Sequence, residues 1–286
     1  EITPVIWNVA KKYKIKTVHT LRDYYFLCLY GNLRINGKGS SCNAPSFLCR
    51  IRRKINGRCL KNVDCLTSPS RKTGTIFTEE FHRDVKTIYN AIDFEIENVE
   101  RIKYKKSNSI INKKIFKLVY VGSISEFKGV DWLINKFVAL HREDVELHLA
   151  GEGPLVSLVE EHATRNPRIF YHGFLNELDL NSLLQECDVL VCPSMWDEPF
   201  GRIVLDAYKN VMPVITTGFG GLGEIVKDKV TGYVLDLKDE DTFGKALSFY
   251  LDDKLQLLKS FDAVVTMLRD FSLEKQIENF LEMYRK

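Results

Sequence analysis

From Ile115 onward the sequence is built from short apolar runs separated by segments of helical spacing, and this alternation constrains the fold more than any other feature. The runs cover residues 117–121, 145–150, 168–171, 189–192, 213–216 and 233–235. Helical patterns at 130–140, 155–164, 178–187, 202–209 and 221–227 lie between most of them. Runs that are apolar throughout, rather than alternating, belong to strands covered on both faces. Such β-α alternation predicts a doubly wound parallel sheet, in which ligands bind at the carboxyl ends of the strands. The unusual residues collect at those ends. Gly122 through Lys128 follow the first run, Gly151-Glu152-Gly153-Pro154 the second and Gly173 the third. Pro193 through Arg202 follow the fourth, and Gly218-Phe219-Gly220-Gly221 the fifth.

The earlier part of the chain is less regular. Residues 1–92 read as an incomplete α/β unit, with a helix at 7–13, strands at 16–20, 63–67 and 85–89, and a basic helix at 46–60. An irregular stretch rich in Gly, Asn, Ser and Cys runs from Gly31 to about Pro45. Residues 93–115 are charged and aperiodic, as expected of an interdomain linker. The chain begins with Glu1 and shows no secretory segment, so we expect a fragment or a processed chain. At 286 residues and 45% hydrophobic content, two cores are expected.

Charge divides the chain. Residues 1–115 hold 23 Lys and Arg against 10 Asp and Glu, and residues 116–286 hold 18 against 28. A basic first part next to an acidic second part suggests an anionic partner for the first, or a merely solvated basic surface. No apolar run reaches the roughly 18 residues of a membrane span. Seven cysteines, five of them between Cys28 and Cys65, show no Cys-x-x-Cys pair. That favours a reducing cytosol and a structural role over a metal cluster.

The stretch from Cys192 to Asp206 carries the chemistry. A strand ends at Pro193, and Glu198 sits where the loop becomes helix, eight residues before Asp206. On one helix the two acids would fall about 80° apart, about two turns from each other, and would grip a ligand rich in hydroxyls. Glycines admit a ligand to the backbone, and Gly220-Gly221 open a helix whose N–H groups suit phosphate. Lys128 at a helix N-terminus is unfavourable unless an anion compensates, which favours a phosphate role over a solvated one. No Walker loop and no Gly-x-Gly-x-x-Gly fingerprint is present, which counts against a nucleotidase or a nicotinamide enzyme.

Several motifs together resemble the retaining glycosyltransferases of family 4, within glycosyl transferases group 1. They are Val121-Gly122 with Lys128-Gly129, Ala150-Gly151-Glu152-Gly153-Pro154, Pro193-Ser194 through Glu198-Pro199-Phe200-Gly201 to Asp206, Gly220-Gly221-Leu222-Gly223-Glu224 and Thr231-Gly232-Tyr233. The resemblance is strong over 115–286. Over 1–92 it is weaker, resting on His19-Thr20-Leu21-Arg22-Asp23-Tyr24-Tyr25 as an acceptor-side loop and Ile88 through Asp93 as the crossover.

The resemblance implies a GT-B architecture with a partial N-terminal acceptor-side Rossmann-like domain over 1–92 and a linker over 93–115. A complete nucleotide-sugar-binding domain would follow over 116–270, and a helix over 271–286 would pack back on the first domain. It implies transfer of a sugar from a nucleoside-diphosphate-sugar to a hydroxyl of a glycan or lipid-linked acceptor, without metal or cofactor and without nucleic acid as partner. Cell-surface polysaccharide synthesis at the cytoplasmic face of the membrane is the expected setting. By the same analogy Lys128 contacts the diphosphate, Glu198 the transferred sugar and Asp206 the ribose. Gly122, Ser123, Gly151, Gly153, Pro199, Phe200, Gly201, Arg202, Gly220, Gly221 and Glu224 line the donor pocket, and His19, Arg22 and Asp23 stand on the acceptor side.

The chain departs from the family pattern in four places. Asp206 replaces the usual Glu, Ser123 the usual Arg after the first glycine, and Arg22 a common His; the first domain also lacks its opening β-α units. The alternative is therefore a non-catalytic or split-subunit protein that binds a nucleotide-sugar. His148 and His172 read as structural. Trp196 is either a lid over the sugar or a packing residue, and Glu224 either a donor contact or a complement to a helix dipole.

Overall fold

The computed structural model describes residues 5–33, 42 and 44–285. The irregular stretch expected from Gly31 to Pro45 falls mostly outside them. In the first unit, helix α1 (Ile6–Lys12) leads to strand β1 (Val18–Thr20). Then come α2 (Phe47–Leu60), β2 (Cys65–Ser68), α3 (Arg71–Phe81) and β3 (Val85–Thr87). The three strands pair in parallel in the order β1-β2-β3. Ser46 and Ser70 cap α2 and α3, each accepting a backbone N–H three residues on, which meets the orphan donors of a first turn. Trp7, Leu21, Tyr24, Leu27, Leu60, Val63, Leu66 and Phe77 form the core of this unit.

The segment 93–115 is not an aperiodic linker: it holds the 15-residue helix α4 (Ile96–Ile110). Ile96, Val99, Ile102 and Ile110 pack with the second core. The stripe is interrupted by Lys106, which occupies an inward position and is only 7% exposed. Its Nζ donates to the carbonyls of Leu184 (3.2 Å) and Cys187 (2.7 Å), so an amine stands where periodicity calls for an apolar residue.

The second unit runs β4 (Phe116–Val121), α5 (Val130–Ala139), β5 (Val145–Ala150), α6 (Val156–Arg165), β6 (Ile169–Tyr171) and α7 (Glu177–Glu186). It continues with β7 (Val189–Cys192), α8 (Ile203–Lys209), β8 (Val214–Thr216), α9 (Leu222–Ile225) and β9 (Gly232–Val234). All six strands are parallel, in the order β6-β5-β4-β7-β8-β9. Strands β7 and β8 are buried throughout, as continuous apolar runs require. Two further helices, α10 (Thr242–Leu251) and α11 (Lys254–Leu268), close one face with Phe243, Ala246, Leu247, Tyr250, Leu257, Phe261 and Val264.

The last helix, α12 (Leu273–Arg285), returns to the first unit. Lys16 Nζ donates to the carbonyl of Tyr284 (3.1 Å), Lys86 pairs with Glu282, and Gln276 donates to the carbonyl of Tyr89 (2.7 Å). The two parallel α/β units make a GT-B, Rossmann-like architecture. Among the described residues, no helix is long and apolar enough to cross a membrane.

Candidate active site

The strand ends of the second unit are tied into one rim by backbone hydrogen bonds. Gly122 N donates to Ala150 O (3.0 Å), Ile124 N to Glu152 O (2.8 Å) and Gly151 N to Gly173 O (2.7 Å). The loops after β4, β5 and β6 therefore hold one another, and Tyr120 fixes the first by donating to Ser123 O (2.7 Å). The loop after β7 joins them where Met195 N donates to Phe127 O (2.9 Å). Gly129 permits this approach: its φ is +74°, and a Cβ there would stand 2.1 Å from Pro193 O.

Lys128 lies at the end of a short 3-10 turn, Glu126–Lys128, and forms an ion pair with Glu198 Oε1. Ser194 Oγ donates to the same oxygen (2.7 Å). Glu198 is only 7% exposed, so its charge is held by a cation and a hydroxyl rather than by water. Lys128 Nζ also stands 5.3 Å from the centre of the Trp196 ring. The compensating anion that Lys128 requires is thus a residue of the chain itself.

Glu198 does not belong to the helix that carries Asp206. Helix α8 starts at Ile203, and Glu198 sits in the preceding loop, bridged in parallel to Gly220. The about 80° separation expected for two acids on one helix therefore does not apply. The loop is extended because Gly221 N reaches back to Glu198 O (2.7 Å), a strand-like bond that no helical turn could supply. Asp206 lies in the first turn of α8, half-buried, with Arg202 exposed one turn before it. Burial raises its carboxyl above the ordinary range, while Arg202 and Lys209 oppose the rise. Helix α9, expected over 221–227, is a single turn after Gly221, which limits its dipole.

Two expected site residues make contacts within the chain. Glu224 reaches the first unit: its carboxylate accepts from Arg71 N (2.9 Å), Lys72 N (2.7 Å) and the Tyr89 hydroxyl (3.2 Å). It caps α3 across the two units, because that helix start presents free donors and a positive dipole end. His19 lies between Trp7 and Phe26, with ring centroids 4.7 and 5.4 Å away. Its Nε2 is enclosed without a hydrogen-bond partner, and burial lowers its pKa against the pull of Asp23. Arg22 and Asp23 are exposed, and Asp23 Oδ1 accepts from Tyr25 N (2.8 Å) in a local turn.

The structure brings Thr73, which the sequence did not mark, to the site, together with tyrosines of the acceptor-side loop and the crossover. Thr73 Oγ1 donates to Pro199 O (3.2 Å), and Tyr24 packs edge-on against Trp196 at 6.1 Å. Tyr89 meets Phe200 at 6.2 Å. These contacts bring the first unit onto the Glu198 loop, and no local sequence signal encodes them. His148 and His172 stack on each other with their ring nitrogens 3.0 Å apart. The cysteines are free thiols. Among the described residues, no group of three or more His, Cys, Asp and Glu is placed to hold a metal ion.

This rim coincides with a match to known proteins: residues 115–253 fit the family described as glycosyl transferases group 1. Residues 115–253 are thus similar to the group 1 glycosyl transferases. An uncharacterised glycosyltransferase of Methanocaldococcus jannaschii is 30% identical over 178 residues, 59% of this chain and 45% of its own length. An uncharacterised protein from the cps region of Klebsiella pneumoniae is 29% identical over 253 residues, 84% of this chain and 61% of its own. The chain thus spans about half the length of these curated relatives. Among solved structures, Anabaena HepE in complex with UDP superposes with a TM-score of 0.78 at 18% identity, over 99% of this chain and 75% of its own. At that identity the superposition shows the fold alone. The matched residues include Lys128, Glu198, Asp206 and the Gly220-Gly221 turn.

Proposed function

We propose that the chain is a retaining glycosyltransferase that moves a sugar from a nucleoside-diphosphate-sugar to a hydroxyl of a glycan or lipid-linked acceptor. One observation carries the reading: Lys128, Glu198 and Ser194 meet at the carboxyl ends of β4 and β7, where the first unit closes over the second. A diphosphate arriving at this rim competes with Glu198 for Lys128 and frees the carboxylate to accept from sugar hydroxyls. Lys128 then stabilises the negative charge that develops on the leaving diphosphate. This is the task a metal performs elsewhere, so the proposal includes metal independence. Asp206, with Arg202 beside it, is assigned the ribose side. The glycines at 122, 151, 153, 201, 220 and 221, with Ser123, Pro199 and Phe200, shape the pocket. The UDP bound to HepE supports a nucleotide donor of this class. The basic first unit supports an acceptor at an anionic surface, as in cell-surface polysaccharide synthesis at the cytoplasmic face of the membrane.

The test is donor turnover across a panel of nucleotide sugars. Glu198→Gln is expected to lower kcat/KM by about a hundredfold or more. Wild-type turnover in that variant would remove Glu198 from the mechanism. Donor binding without turnover by the wild-type chain would instead favour a nucleotide-sugar-binding subunit that needs a partner.

A further inference from the structure

Helix α2 presents an outward face that the fold does not use. Cys49, Asn56 and Leu60 point inward, whereas Phe47, Leu48, Ile51 and Ile55 are 73%, 60%, 41% and 53% exposed. At 100° per residue these four fall within about 100° of one another, a continuous apolar stripe. Arg50, Lys54, Arg58 and Lys61 are exposed along and beside that stripe. None of these four forms an ion pair among the described residues; the neighbouring acid, Glu80, is taken by Arg53. The same four cations line an open groove of about 400 Å³ beside the helix, with Pro45, Gly57, Phe81 and the Arg53–Glu80 ion pair, whose charges offset each other.

Apolar residues ringed by unpaired cations are what an anionic bilayer surface attracts: the stripe enters the headgroup boundary and the cations meet the phosphates. A nucleic acid would match the charge but not the stripe. We propose that the outward face of α2 docks on an anionic phospholipid membrane, with a lipid phosphate in the groove of Arg50, Lys54, Arg58 and Lys61. The inward side of the same helix holds the acceptor-side loop. Arg52 donates to Tyr25 O, Arg53 Nε to Leu27 O (2.9 Å) and Asn56 Nδ2 to Phe26 O (3.1 Å). Docking through α2 therefore sets the turn after Arg22-Asp23 beside the bilayer, where a lipid-linked acceptor would be presented. The surface deepens the membrane-face setting of the proposed function and rests on that reading, but its test needs no turnover.

The experiment is co-sedimentation of the full chain with vesicles of phosphatidylcholine alone, or with about 30% phosphatidylglycerol. Binding to the anionic vesicles is expected to exceed binding to the neutral ones by about tenfold or more. The triple variant Phe47→Ser, Ile51→Ser, Ile55→Ser should lose about tenfold without a change in thermal unfolding. The variant Arg50→Gln, Lys54→Gln, Arg58→Gln should lose the preference for anionic lipid. Phe47→Trp offers a readout that removes nothing, since its fluorescence should shift to the blue on anionic vesicles. A wild-type chain that stays in the supernatant, or variants that sediment like it, would overturn the proposal. So would a dimer that the serine variant converts to monomer in the absence of vesicle binding, since a second copy would then be the occupant.

Discussion

Glu198 was conspicuous in the sequence as an acid next to Pro199 at a strand end, but its partners were not. Ser194 lies four residues before it in the same loop, whereas Lys128 reaches it only because the loops after β4 and β7 converge, a matter of strand order rather than local pattern. Removing the hydroxyl tests how far the buried carboxylate depends on its own loop. Ser194→Ala is expected to cost about 1.5 to 3 kcal/mol in chemical denaturation, the range for a hydrogen bond to a buried charge, and to lower donor turnover. Lys106 gives a second test at this scale. Burial outweighs the pull of nearby Asp188 and brings its pKa from 10.5 down to about 7. Between those values the unfolded chain binds more protons than the folded one, so stability contributed by this site rises with pH. Compared with Lys106→Met, the wild-type unfolding free energy should climb between about pH 7 and pH 10. A constant difference across that window would show that the amine stays charged in the fold.

At the scale of elements, the legible parts were those whose burial leaves a repeating mark. All six strands of the second sheet were readable as apolar runs, and α5 through α8 were readable from the segments between them. Helix α4 was concealed by Lys106 in the inward stripe. Helices α10 and α11 carry clear apolar spacing, such as Phe243, Ala246, Leu247 and Tyr250, yet they follow one another without a strand between them, so β-α alternation does not announce them. The turn after β8 shows how an element's conformation reaches the site. Gly220 has φ +63°, and a Cβ there would stand 2.2 Å from Glu198 O and 2.5 Å from Glu198 N. Gly220→Ala must therefore displace the Glu198 backbone. The expected cost is about 2 kcal/mol or more by chemical denaturation, from left-handed strain and the clash together, with donor turnover reduced in parallel. Unchanged denaturation would mean that the two loops are not in contact.

At the scale of the whole molecule, the crossing contacts concentrate on few residues. Glu224 caps α3 from the opposite unit, Thr73 and Tyr89 reach the Glu198 loop, and α12 returns across the first sheet. The charge division of the sequence anticipated two unlike units, but not the residues that join them. Glu224→Ala removes the acceptor for two backbone N–H groups and one hydroxyl. We expect thermal unfolding to broaden or separate into two transitions, whereas a single unshifted transition would place the coupling elsewhere. The central claim, that the rim holds a nucleoside diphosphate through Lys128, is tested most directly by calorimetric titration with UDP and GDP. Wild type should bind at least one of them, and Lys128→Met should weaken that binding by about tenfold or more, the loss of one charge-assisted phosphate contact. Equal affinity in the two proteins, or no binding of either nucleotide to wild type, would contradict the account.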